Sequence, residues 1–213
     1  MTRAAIFDLD GTLIDSVADI AAAVNAALAE YGYPIHPLAA YYEFVGEGVE
    51  VLITRALEPA QLERKVLDRY RQIYASEMTK RTQVYPGIHA MLQTLQAQGW
   101  RLAVLSNKPH PATCALVQHF FADIAFGAVA GQRPEVPRKP DPSAALELAA
   151  QLGALPRDCQ FVGDTAIDLQ TARNAGMGAI GVLWGFRPAE VHGADAVAAS
   201  AAELLAALQR TAG

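Results

Sequence analysis

At 213 residues the chain has room for one large domain, or for a core with a modest insertion, and length excludes three domains. With 52% hydrophobic and 18% charged residues it can bury a sizeable core, which excludes global disorder. Seventeen basic residues against 22 acidic ones give a net charge of −5, without the broad basic footprint of a nucleic-acid or acidic-membrane binder. An anionic ligand therefore has to be met by a locally positive site.

In chain order, Ala4 to Phe7 is a short apolar run that stops at Asp8 and is followed by Gly11-Thr12, the pattern of a buried strand ending in a loop. From about Val17 to Val84 the pattern turns helical, with segments near 17–30, 49–57 and 59–78 and no convincing strand. Beyond it, predicted helices at 88–98, 112–119, 143–152 and 167–175 alternate with strands at 101–105, 124–129, 159–162 and 179–183. A last helix spans 201–208. Alternation of this kind implies βαβ units and a parallel sheet. The predicted fold is α/β: a core from 1–16 and 85–213, interrupted by an all-helical insertion at 17–84. Pro86 and Pro142 suit first helical turns, Asp141 suits a cap, and Gly99, Gly153 and Gly176 stand where helices should stop.

Cys114 and Cys159 are far apart in sequence and outside any metal-binding pattern, so neither a disulfide framework nor a zinc site is expected. Asp8 and Asp10 interrupt what would be the apolar stretch of a signal peptide, and no uncharged apolar run approaches 18 residues. A cytoplasmic protein with no membrane partner is the expectation.

In an open parallel sheet, ligands bind beyond the carboxyl ends of the strands. Those ends carry Asp8-Leu9-Asp10-Gly11-Thr12, Ser106-Asn107-Lys108-Pro109 and Gly163-Asp164-Thr165, with Asp168 close behind and Lys139-Pro140 opening the helix before the third of them. Several carboxylates converging on one edge repel one another unless a cation is present, and oxygen ligands of this kind suit Mg2+ bound together with a phosphate. One carboxylate can then attack phosphorus to form an aspartyl-phosphate, while a second gives a proton to the departing oxygen and later takes one from water. Lys139 neutralises the phosphate, and Ser106 and backbone amides near Leu9 and Asn107 donate to its oxygens.

Asp8-Leu9-Asp10-Gly11-Thr12-Leu13, Leu105-Ser106-Asn107-Lys108, Lys139-Pro140 and Gly163-Asp164-Thr165-Ala166-Ile167-Asp168 together resemble the four ordered motifs of the haloacid dehalogenase superfamily. The resemblance implies a doubly wound, Rossmann-like core with a helical cap domain between its first two strands. It also implies Asp8 as nucleophile, Asp10 as acid/base, Thr12 and Ser106 as phosphate contacts, and Lys139 as the phosphate-stabilising lysine. Asp164 is implied as a Mg2+ ligand with Asp8 and the Asp10 carbonyl, and Asp168 as lying at or just behind the metal. Asp15-Ser16-Val17-Ala18-Asp19-Ile20 and Val45-Gly46-Glu47-Gly48 are similar to the phosphoglycolate phosphatase branch, which makes a small phosphate ester such as 2-phosphoglycolate the expected substrate. The Pro- and Arg-rich stretch Gly131 to Arg138 departs from that branch.

Blander roles compete at several positions. Thr12, Ser106 and Asp164 can cap turns, Asp168 can favour a helix N-terminus, His110 and Arg187 read as loop surface, and Trp184 as packing. Among functions, a phosphomutase uses the same machinery, whereas a 2-haloacid dehalogenase has no need of Asp10.

Overall fold

The structure, a computed structural model, describes residues 2–57 and 63–210. Strand β1 (Ala4–Phe7) leads to a two-residue strand β2 (Ile14–Asp15), then helices α1 (Val17–Glu30), α2 (Leu38–Phe44), α3 (Val49–Ala56) and α4 (Arg64–Glu77). The chain returns through β3 (Gln83–Val84) and continues as α5 (Ile88–Ala97), β4 (Arg101–Pro109), α6 (His110–Phe120), β5 (Phe126–Gln132) and α7 (Ser143–Gln151). It closes with β6 (Cys159–Gly163), α8 (Ala166–Ala175), β7 (Gly178–Val182), β8 (Ala196–Ala198) and α9 (Ala201–Arg210). Six strands form one parallel sheet in the order β5-β4-β1-β6-β7-β8. The fold is the α/β, Rossmann-like one expected.

The period of two along β1 explains why helices cover both faces. Ala5 and Phe7 point into a core shared with α5, α6 and α9, while Ala4 and Ile6 point into a second core shared with α7 and α8. Ile6 and Phe7 are fully buried, and burial of side chains this size stabilises the fold by roughly 1.5–3 kcal/mol each. The central strand is thus apolar on both sides, and its first polar side chain, Asp8, falls just past its carboxyl end. The chain passes from β1 to β4 on one side and to β6 on the other, which makes that end the switch point where a crevice opens.

Helices α1 to α4 build a separate apolar cluster. Val17, Ile20, Ala21, Val24, Ala27 and Leu28 follow helical spacing along α1 and meet Val66, Leu67, Tyr70 and Tyr74 of α4. Two features join the exit and re-entry of this layer. Antiparallel pairing joins Ile14 to Val84 and Asp15 to Gln83, and the buried Asp19 carboxylate accepts from the amides of Arg81 (2.8 Å) and Thr82 (2.9 Å) and from the Thr82 hydroxyl.

Several boundaries differ from expectation. Helix α2 and strands β2, β3 and β8 were not anticipated, because seven, two, two and three residues are too few for a period to show. Strand β5 starts two residues later than the expected 124–129 and runs on through Gly131 to Gln132. The start of the predicted 59–78 helix lies outside the described residues. Pro86 precedes α5 instead of entering its first turn, and Asp141 caps through the Ser143 amide (2.9 Å) ahead of Pro142 at the helix boundary. No helix among the described residues is long and apolar enough to cross a membrane.

Candidate active site

The chain turns as soon as β1 ends. The Asp8 amide still donates to Val162 O on β6 (2.9 Å), but Gly11, at φ +83°, reverses the backbone and its amide returns to Ile14 O. A Cβ at Gly11 would stand 2.3 Å from Asp164 Oδ2, so the turn both requires a left-handed residue and forbids a side chain. This places Asp8 and Asp10 on one crevice with different partners.

Asp8 Oδ1 accepts from the Leu9 amide (2.7 Å) and lies 2.9 Å from Lys139 Nζ; among the described residues both of its contacts fall on this oxygen, which leaves Oδ2 open. Lys139 Nζ also donates to Asp168 Oδ1 (2.6 Å). The other Asp168 oxygen accepts from the Thr165 amide and hydroxyl, closing a capping box at the start of α8. Asp164 accepts from Thr12 Oγ1 (3.2 Å) and from the Phe186 amide (2.8 Å). Asp10 is clamped on both oxygens, by Ser16 Oγ (2.5 Å) and Lys108 Nζ (2.7 Å).

Oxygens of Asp8, Asp164 and Asp168 lie within 4.8 Å of one another, with Lys139 as the cation among them. Burial, reinforced by repulsion from Asp168 and Asp10 and opposed by Lys139, pushes the Asp8 carboxyl up to about 7. Burial and the neighbouring Asp168 and Asp8 raise Asp164 well above the carboxylate range. For Lys139 the desolvation penalty is outweighed by attraction to Asp168 and Asp8, and its ammonium titrates above the ordinary lysine value. One lysine does not balance three buried carboxylates. The cluster thus fits a divalent cation, with the carboxylates of Asp8 and Asp164 as candidate donors.

Above this edge a cleft of about 50 Å³ is lined by Asp8, Asp10, Ser106, Asn107 and Lys108 below and by Ile20, Val45, Gly46, Gly48, Val49, Leu52 and Tyr70 from the helical layer. Ser106 faces this cleft. The Asn107 side chain is already engaged: its amide nitrogen donates to Gly46 O (3.1 Å) and Lys139 O (3.3 Å), and its oxygen accepts from the Lys139 amide (2.9 Å). Only the backbone amide of Asn107 remains for a phosphate. Thr12 is fully buried and supports Asp164 from behind instead of lining the cleft. The Asp10 carboxylate likewise stands outside the acidic triplet, turned to Lys108 and Ser16.

Sequence reasoning gives Ser16 and Phe186 no role and leaves Lys108 between a site role and a loop one; their contributions are a hydroxyl, a main-chain amide and an ammonium aimed at motif carboxylates. Lys108 had a signal, its place beside Ser106-Asn107. Phe186 had none, since a backbone donor is indifferent to residue type. Arg187 is not loop surface but reaches Val45 O (2.9 Å), and His110 accepts from the Gly131 amide (3.1 Å). Trp184 packs on Tyr85 and also donates to Thr12 O.

Comparison with known proteins agrees with this geometry. Residues 5–182 match the model of the haloacid dehalogenase-like hydrolases. A phosphoglycolate phosphatase of Cereibacter sphaeroides is 39% identical over 194 residues, 88% of each chain, and one of Pseudomonas putida is 37% identical over 87% of this chain and 71% of its own. Among solved structures, that of a predicted phosphoglycolate phosphatase from Haemophilus somnus superposes with a TM-score of 0.90 at 27% identity, covering 97% of both chains. That of a predicted phosphatase from Clostridium acetobutylicum superposes with a TM-score of 0.86 at 25% identity, covering 99% of both.

Proposed function

The chain belongs to the haloacid dehalogenase-like hydrolase family and is a phosphoric monoester hydrolase, and from that premise we propose that it hydrolyses a small phosphorylated metabolite, 2-phosphoglycolate foremost, through an aspartyl-phosphate on Asp8. The observation that carries this reading is the open oxygen of Asp8, which sits beside Lys139 in a buried carboxylate cluster under a small cleft.

The residues divide the work. Asp8 Oδ2 attacks phosphorus and the bond from phosphorus to the ester oxygen breaks; Asp10 gives that oxygen its proton, so the alcohol leaves neutral. Water then attacks the phosphorus on Asp8, Asp10 takes the water's proton, and inorganic phosphate departs as the Asp8 carboxylate is restored. Lys139 holds Asp8 in line and offsets charge on the phosphoryl oxygens, with Ser106 and the backbone amides of Leu9 and Asn107 as donors. Asp8, the Asp10 carbonyl and Asp164 would hold Mg2+, with Asp168 fixing Lys139 from behind and Thr12 fixing Asp164. When bound, that ion supplies charge neutralisation at the phosphate. Ser16 and Lys108 orient Asp10, and Lys108 also offers the cleft a cation where the carboxylate of 2-phosphoglycolate would lie. Residues 17–84 act as a cap domain that excludes water from the core formed by 1–16 and 85–213.

The test is phosphate release from a panel of phosphorylated metabolites with Mg2+. 2-Phosphoglycolate should rank among the better substrates, and EDTA should abolish turnover. Turnover that survives chelation would remove the metal from the mechanism.

A further inference from the structure

Three consecutive carbonyls of the cap loop are each gripped by a different side chain from the sheet side of the cleft. Val45 O accepts from Arg187 Nη2 (2.9 Å), Gly46 O from Asn107 Nδ2 (3.1 Å) and Glu47 O from Arg138 Nη1 (3.1 Å). Arg138 also pairs through Nη2 with the carboxylate of Glu50, on the first turn of α3. The loop is shaped to receive these groups. A Cβ on Gly46 would stand 2.4 Å from Arg187 Nη2 and one on Gly48 would stand 2.7 Å from Arg138 Nη1, so the two glycines leave room for two guanidinium groups. Arg138 comes from the Pro- and Arg-rich stretch that departs from the branch pattern, and Arg187 from the loop after β7.

We infer that Arg138 and Arg187 are specificity-determining positioning residues: they pin the 45–48 loop as the roof of the cleft and so set the size of the alcohol that can accompany the phosphate. Neither touches the phosphoryl site. Val45, Gly46, Gly48, Val49 and Leu52 form the roof, and its height over Asp8 is fixed by contacts to main-chain oxygens, which do not depend on what side chains the loop carries. Asn107 links the roof to chemistry below it, because the amide that holds Gly46 O also holds the peptide of Lys139. The inference rests on the reading of this cleft as a phosphatase site.

Arg138→Gln, Arg187→Gln and the double variant test it, assayed on 2-phosphoglycolate and on the bulkier p-nitrophenyl phosphate. The ratio of kcat/KM for the small ester to that for the aryl ester should fall about tenfold or more in the double variant, mainly through KM for the small ester. Arg138→Lys, which keeps one donor, should restore part of it. Hydrogen exchange at the amides of 45–52 should rise in the variants with no loss of Tm. Parallel losses on both esters, or an unchanged ratio, would overturn the inference. If Arg187→Gln does not fold, Arg138→Gln decides alone. Wild-type protein that releases phosphate from neither ester would sink the functional reading, and hydrogen exchange would still decide the grip on the loop.

Discussion

At the carboxyl edge of the sheet, Asp8, Lys139 and Asp168 are nearly buried and engage one another as charges at 2.6–2.9 Å. The helices above meet that edge through Val45, Val49, Leu52 and Tyr70, apolar or aromatic side chains on a layer with its own core. Electrostatic order below is therefore fixed by the fold, whereas the roof is placed by hydrogen bonds from long side chains at its rim. The contrast separates what makes the reaction possible from what chooses the substrate.

The sharpest break in that comparison is Asp8→Asn. The amide oxygen can keep both Oδ1 contacts, so circular dichroism should be unchanged while phosphate release falls by at least about a thousandfold. Lys139→Met should cost about 3–5 kcal/mol of stability at pH 8, because it strands Asp8 and Asp168 in the interior, and less at pH 5, where a carboxylate can take up a proton; thermal melts at the two pH values check this. The raised Asp8 carboxyl gives a third test. The folded chain holds this proton more tightly than the unfolded one, so the group's contribution is fully present below its ordinary value of 3.8 and lost as pH rises to about 7. Without metal, urea melts should show a loss on the order of a few kcal/mol across that window; Asp8→Asn should flatten the slope, and Mg2+ should reduce it. The smallest effect on stability belongs to the capping box: Thr165→Ala should lower it by about 1 kcal/mol, which thermal melts check.

Much of the charged edge is legible in sequence because its members sit at strand ends with strong local signals, as in Ala4 to Phe7 before Asp8 and Cys159 to Gly163 before Asp164. Helix α1 is legible to the residue, since its apolar positions keep helical spacing over fourteen residues. What escapes detection is short or is carried by the backbone. Helix α2 spans seven residues and β8 only three. The contact from Arg187 to Val45 crosses 142 positions and lands on a carbonyl, so no residue type at position 45 announces it. Thr12 and Asn107 reveal a different limit: composition marks them as polar groups at the right edge, but only packing shows that their side chains brace Asp164 and Lys139.

The pairing of Ile14–Asp15 with Gln83–Val84 also bears on how such a molecule can change. Exit and re-entry are adjacent, so for the sheet everything from 17 to 82 is equivalent to one surface turn, and the entropy of closing such a loop grows only slowly with its length. Lengthening, trimming or exchanging the helices beyond that doorway leaves the pairing of β1 with β4 and β6 untouched. New leaving groups can therefore be explored by replacing the segment beyond the doorway, without rebuilding the carboxylate edge beneath it.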